Sequence, residues 1–257
     1  PNVNSIERTK SELSELTLAL QCGGSDAYSG ITANPALGFA ADLLVEYGGS
    51  TILSETPEIY GAEHLLIDRA LKESDVSKLV NQIKWWKDYT QINNGSLDNN
   101  PSPGNKKGGL TTILEKSLGA VAKSGNSIMI SVLDYAEKIS EKGFHFMDSP
   151  GYDPVSVTGQ VAAGANLICF TTGRGSCFGF KPSPSLKIAT NTNMYNNLEE
   201  DMDINAGTIM DGISSIEEIG TNIFNELIEV ASGKKTKSEI NEYGDDEFNP
   251  WVIGATM

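Results

Sequence analysis

The chain has 257 residues, 39% of them hydrophobic, with 19 Lys and Arg against 34 Asp and Glu and a formal charge of −15. That acidic balance argues against nonspecific binding to nucleic acid or an anionic membrane, which needs a basic footprint. No run of about 18 apolar residues is present to cross a membrane, and the length suits one large α/β domain.

Three cysteines, Cys22, Cys169 and Cys177, lack the even count and spacing of a disulfide framework, so a reducing cytoplasm is the expected compartment. No charged start followed by an apolar stretch reads as a signal peptide. Only two histidines are present, His64 and His145, which excludes mechanisms built on a histidine cluster. Catalysis would draw on carboxylates, lysines, thiols, hydroxyls or a metal. The chain begins at Pro1, and the polar residues 1–15 read as a linker arriving from an upstream region. Residues 16–257 read as a single domain.

Along the chain, Leu16–Leu20 predicts a short buried strand that stops at Cys22-Gly23-Gly24-Ser25-Asp26. Asn34-Pro35 predicts a helix start, with Asn34 as cap and Pro35 in the first turn; the helix runs to Tyr47 and ends at Gly48. Thr51–Ser54 is a second strand opening into Glu55-Thr56-Pro57-Glu58. Residues 60–92 predict helix, as two pieces broken near Ser74. Residues 93–109 carry dense turn signals and read as a long loop, of the kind that is functional or mobile. Helical spacing returns over Thr112–Lys123. Strands follow at Ile128–Leu133, Phe144–Met147, Leu167–Thr171 and Leu186–Thr190, with a helix from Asp153-Pro154 to Gly164. Ile216, Ile219, Ile223, Leu227 and Ile228 form an amphipathic stripe near the end. Short apolar strands alternating with helices predict an α/β fold with a mostly parallel sheet flanked by helices.

Five predicted strands run straight into polar clusters: Cys22–Asp26, Glu55–Glu58, Asp134-Tyr135, Asp148–Asp153 and Thr171–Gly175. In open parallel sheets, ligands bind outside the carboxyl ends of the strands, so these loops are where a site is expected. The segment Gly173–Gly179 misses dinucleotide-loop spacing by one residue. Lys181-Pro182-Ser183-Pro184 also follows it where a helix should begin, so no dinucleotide site is expected. Arg174 in that turn presents a fork that matches a carboxylate; the alternative is a surface ion pair. Cys22 is a thiolate donor for a metal or a small residue at a strand end. His64 near Glu55, Glu58 and Glu63 fits a carboxylate–imidazole site for Mn(II) or Fe(II), or a hydrogen-bonded structural histidine. Asn105-Lys106-Lys107 is a basic tip that can close over an anion or simply be solvated. Glu115 and Lys116 are adjacent on a helix, so at most one points inward.

Several longer motifs together resemble one family. They are Cys22–Gly38 (CGGSDAYSGITANPALG), Ser54–Leu65 (SETPEIYGAEHL), Gly108–Gly119 (GGLTTILEKSLG) and Phe146–Gly164 (FMDSPGYDPVSVTGQVAAG). Asn166–Gly175 (NLICFTTGRG), Glu200–Gly212 (EDMDINAGTIMDG) and Phe248–Trp251 (FNPW) extend the pattern. The chain resembles the altronate/galactarate dehydratases from about Leu16 to Met257, closest to the altronate branch. The resemblance implies a Rossmann-like variant and a cytoplasmic lyase that removes water from a sugar acid. It also implies dependence on ferrous iron or a similar divalent metal such as manganese, and a homodimer of the full-length protein. On that basis the expected metal set is Cys22, Asp26, Glu55, Glu58 and His64. Carboxylate recognition is expected at Arg174, Thr171 and Thr172, with Ser25, Asn105 and Lys106 also touching substrate. Lys116, Asp148 and Glu115 are the acid and base candidates. Two alternatives stay open: a sulfolactate sulfo-lyase of the same superfamily, and a noncatalytic fragment of a longer enzyme.

Overall fold

The computed structural model describes residues 7–97 and 101–254. The first six residues of the expected linker, and residues 98–100 of the expected loop, lie outside the described residues. Seven parallel strands form one sheet: β1 Thr17–Cys22, β2 Ser50–Ser54, β3 Met129–Leu133, β4 Phe144–Met147, β5 Leu167–Thr172, β6 Ser185–Ala189 and β7 Ile204–Asn205. Their spatial order is β3-β4-β2-β1-β5-β6-β7. Strands β2 to β4 lie on one side of β1, with β4 inserted between β2 and the edge strand β3; the chain then crosses β1 and builds outward through β5, β6 and β7 on the other. Such a reversal opens a crevice at the carboxyl edge beside the central strand.

The helices are α1 Ala33–Glu46, α2 His64–Ile67, α3 Glu73–Ile92, α4 Pro103–Lys107, α5 Ile113–Ala122, α6 Asp153–Ala163, α7 Thr192–Asn197, α8 Ile216–Ala231 and α9 Lys237–Ile240. They cover both faces of the sheet. Leu18 and Leu20 of β1 pack with α1, α3 and α8 residues such as Leu37, Leu79 and Ile223. Ala19 faces the other way and packs with Val157 of α6, Ile168 and Phe170. This alternation, with both faces covered, explains why the strands are continuously apolar. It also sets the site. Cys22 continues the face of Leu18 and Leu20, and Gln21 continues the face of Ala19. Gln21 accordingly meets Ser156 of α6 at 2.5 Å, inside a buried cluster with Ser54 and Gln160. No helix among the described residues is long and apolar enough to cross a membrane.

Three local expectations are corrected. Helix α1 starts at Ala33 behind Thr32, so Asn34 is not its cap. The Asn34 side chain is buried and links three elements instead, donating to the Gly119 carbonyl at 2.8 Å and accepting from Thr171 Oγ1 at 2.6 Å. The break in the 60–92 region spans residues 68–72, where Leu71 N donates to the Met129 carbonyl at 2.9 Å and ties the break to the sheet edge. The 93–109 loop contains α4, started by a reciprocal Ser102–Asn105 capping box.

Candidate active site

The loops after β1, β2, β4 and β5 enclose a cavity of about 320 Å³. Its walls are Cys22–Ser25 after β1, Pro57 and Glu58 after β2, Gly151–Asp153 after β4 and Arg174 after β5. Ser96, Leu97, Ser102, Asn105 and Lys116 of α5 complete it. This is the volume of a pocket for a small polar metabolite.

One wall is a buried charge cluster. Lys116 donates to Glu58 Oε1, and Lys123 Nζ lies 3.9 Å from Glu58 Oε2. Lys123 also donates to Cys22 Sγ at 2.9 Å, and the same sulfur lies 3.4 Å from Glu58 Oε2. Burial alone would push Glu58 up, but the two ammonium groups outweigh it and hold the carboxyl at about 2. Glu55 behaves oppositely. It is 1% exposed, sits in the left-handed region at φ 76°, and neither carboxyl oxygen receives a donor among the described residues. Burial, then the Glu58 charge, push its pKa well up, so it is a neutral acid that keeps its proton beside the ionised Glu58. A left-handed glutamate is backbone strain, and strain of this kind gathers at functional sites. Burial followed by the Glu58 charge also raises Asp153, to about 7. Asp153 is the first residue of α6 and lines the cavity. Its carboxylate lies against the Gly23 backbone, where a Cβ would collide with it and with Phe170.

Arg174 is exposed to the cavity and makes no hydrogen bond or ion pair among the described residues. A Cβ on Gly104 would collide with its guanidinium, so the absence of a side chain there lets α4 lie against Arg174. Asn105 Nδ2 donates to the Ser25 carbonyl at 2.9 Å and pins α4 to the loop after β1.

The structure therefore brings Cys22, Ser25, Glu58, Asn105, Lys116 and Arg174 to one cavity, with Glu55 behind Glu58. Others of the expected set have different work. Asp26 is buried outside the cavity lining and accepts from Ser29 N at 2.9 Å, Thr190 Oγ1 at 3.0 Å and Asn191 Nδ2 at 3.1 Å, fastening the β1 loop to the end of β6. Thr171 holds Asn34, and Thr172 Oγ1 accepts from Gly175 N at 3.1 Å, so both shape the turn that presents Arg174. Asp148 accepts from Trp86 Nε1 at 2.7 Å and from Thr56, and fixes the turn that carries Glu55 and Glu58. Glu115 accepts from Thr111 N at 2.8 Å and caps the start of α5; that backbone donor lowers its pKa. Lys106 is exposed on α4 while its neighbour Asn105 faces inward. His64 is exposed on α2.

Among the described residues, no three carboxyl, thiol or imidazole groups converge to hold a metal ion. The expected five-residue set is not assembled. Glu58 is engaged by lysines, Asp26 by hydroxyl and amide donors, and His64 points elsewhere. Ammonium groups in contact with Cys22 and Glu58 also oppose a further cation. Asp153 and Lys123 were missing from the sequence-based set. The available signals were an Asp-Pro helix start facing the carboxyl edge and a lysine two helical turns from Lys116.

Residues 13–256 match the family described as D-galactarate/altronate dehydratase, C-terminal. The chain is 44% identical over 233 residues to galactarate dehydratase (L-threo-forming) of Escherichia coli strain K12, covering 91% of this chain and 45% of that protein. It is 42% identical over 245 residues to altronate dehydratase of Bacillus subtilis strain 168, covering 95% and 49%. A subunit beta of (2R)-sulfolactate sulfo-lyase from Chromohalobacter salexigens is 31% identical over 237 residues, covering 91% and 61%. The chain spans about half the length of the curated dehydratases it matches, and the identities do not set the altronate branch above the galactarate one. By motif, fold and family match, this chain belongs to the D-galactarate/altronate dehydratase C-terminal family.

Proposed function

We propose that this chain carries a binding and proton-transfer site of a hydro-lyase that converts a sugar acid to a 2-keto-3-deoxy acid. The observation that carries this is the meeting, in one cavity, of an unengaged guanidinium, a carboxyl titrating near 7 and a lysine ammonium. Dehydration beside a carboxylate needs those three functions. Arg174 takes the substrate carboxylate as a fork. Asp153 removes the proton on the neighbouring carbon; its pKa of about 7 leaves it both basic enough and ionised enough at neutral pH. Lys116, held in place by Glu58, faces the enediolate charge that develops, in a setting where a fixed charge acts strongly. The electron pair from the broken C–H bond forms the new double bond, and the hydroxyl on the next carbon departs. The resulting enol then becomes the ketone.

The test is incubation of the protein with galactarate and altronate separately, with detection of a 2-keto-3-deoxy acid by its thiobarbiturate reaction. Silence on both, with the chain alone and with the other half of a full-length relative supplied, would sink the dehydratase reading. The sulfo-lyase relative favours one competing reading, since Arg174 also suits a sulfonate. Sulfite release from sulfolactate without turnover of either sugar acid would select it.

A further inference from the structure

Residues 247–254 form no helix or strand, and Phe248, Val252 and Ile253 are exposed to solvent. Trp251, in their midst, is turned onto the protein. Its ring stacks on Trp86 of α3, with centroids 5.4 Å apart and planes within 10°, and meets Trp85 and Tyr135 edge-on at 5.9 and 5.6 Å. Its indole N–H is buried without a partner among the described residues, so ring contact alone seats the side chain. Backbone bonds fasten the segment on either side: Asn249 N donates to Thr158 Oγ1 of α6 at 3.0 Å, and Gly254 N donates to the Tyr89 hydroxyl of α3 at 2.7 Å.

Each neighbour of Trp251 leads to a wall of the cavity. Trp86 Nε1 donates to Asp148, which also accepts from Thr56. The next residue, Ser149, accepts Glu55 N on its Oγ at 3.0 Å and Thr56 N on its carbonyl at 3.1 Å. Those bonds anchor the turn that carries Glu58, the partner of Lys116. The Tyr135 hydroxyl donates to the Val155 carbonyl at 2.8 Å, in the first turn of α6, which begins with Asp153. Trp86 and Tyr89 form a buried cluster with Leu97, a cavity residue, and Trp251 packs against that cluster. One ring is thus two or three contacts from the Glu58 turn, the α6 start and Leu97, which lie far apart on the chain.

Resting on the dehydratase reading, we propose that Trp251 is a positioning residue: stacked on Trp86, it fixes the Glu55–Glu58 turn and the start of α6 relative to each other. Proton abstraction by Asp153 and charge stabilisation by Lys116 act on one substrate, so their separation must be held closely; a misplacement of about 1 Å costs up to about 10²-fold in rate. Carboxylate binding by Arg174 is not on this route, because Arg174 stands on the loop after β5 and bonds to none of these groups. Trp251 therefore bears on kcat more than on KM.

The experiment compares wild type with Trp251→Ala, Trp251→Phe, Trp86→Phe and the double variant Trp251→Ala/Trp86→Phe. Trp251→Ala is expected to lower kcat by about 10–10²-fold with KM little changed. Trp251→Phe keeps the stack and loses only an unpartnered N–H, so it should restore kcat. Trp86→Phe removes the bond to Asp148 and should also lower kcat. Both act through one route, so the double variant should lose little more than the worse single one. Hydrogen exchange gives a readout without turnover: in Trp251→Ala the amides of residues 54–60 should exchange about tenfold faster, as for one weakened hydrogen bond, while those of β5 and β6 keep their protection. Should Trp251→Ala not fold, Trp251→Leu, apolar but without a flat ring, takes its place with the same expected losses. Full kcat in Trp251→Ala, a Trp251→Phe as slow as it, losses that multiply in the double variant, or unchanged exchange over residues 54–60 overturns the role. A wild type that turns over no sugar acid refutes the dehydratase reading, and the exchange comparison then decides the positioning role by itself.

Discussion

Substituting Glu58→Gln removes the ionised carboxylate that lies between Lys116 and Lys123 while keeping its shape. The cost follows from the charge cluster. Holding Glu58 at about 2, below the ordinary 4.5, corresponds to about 3 kcal/mol at neutral pH. Breaking a buried pair by removing one partner costs about 3–5 kcal/mol, which agrees. For a chain of this size, a loss of about 3 kcal/mol lowers Tm by about 6–12 °C. Glu58 is depressed in the folded state, so its contribution is complete above 4.5 and disappears as pH falls from there toward 2. Urea unfolding at several pH values should therefore show wild type and variant separated at pH 7 and converging on acidification. The same substitution acts on Asp153, whose pKa Glu58 raises, so the acidic limb of activity should move below about 7. A variant within about 0.5 kcal/mol of wild type at pH 7, or an unmoved limb, would refute the account of this cluster.

Arg174→Ala is expected to raise KM for the sugar acid while unfolding at the same urea concentration as wild type, since its guanidinium holds no other residue; unchanged affinity would exclude the anion role. Asp153→Asn should lower kcat by about 10²–10⁴-fold and abolish the limb near 7, read from the pH dependence of kcat/KM. Asn34→Ala should cost about 1–3 kcal/mol in urea unfolding, because it leaves the Gly119 carbonyl and the Thr171 hydroxyl without their buried partner.

The fold was legible because strand burial is written in local composition. Phe144–Met147 is the observed β4 residue for residue, and the other predicted strands lie within two residues of their observed ends. Where local signals were weak or ambiguous, legibility stopped. Strand β7 is two residues, Ile204–Asn205, in a polar stretch that carries no apolar run. Asn34 before Pro35 has the chemistry of a cap, but a carbonyl on α5 and a hydroxyl on β5 compete for its amide, and tertiary packing decides. The identities of such partners are not encoded within a few residues of the asparagine.

The cavity's position was legible for a topological reason: polar clusters after parallel strands meet at one edge. The roles inside it were not, because neighbours on the chain are not neighbours in the site. His64 stands six positions after Glu58 yet is exposed on α2, whereas Lys123, far along the chain, lies behind Cys22. Lys116 and Lys123 are two turns apart on one helical face. Read locally, a buried lysine on such a face breaks the rule that charges stay in water. The violation is resolved by Glu58, Glu55 and Cys22, supplied by two different strand ends. At neutral pH, Lys116 and Lys123 are charged, Glu58 is ionised, and Glu55 and Cys22 keep their protons. The cluster then has one positive charge to offer whenever Asp153 is protonated. An acidic protein can thus present a cationic wall to an anionic substrate. Of its acids, 14 lie with only three bases in residues 199–248, a segment of β7, α8, α9 and their loops that contributes no residue to the cavity lining.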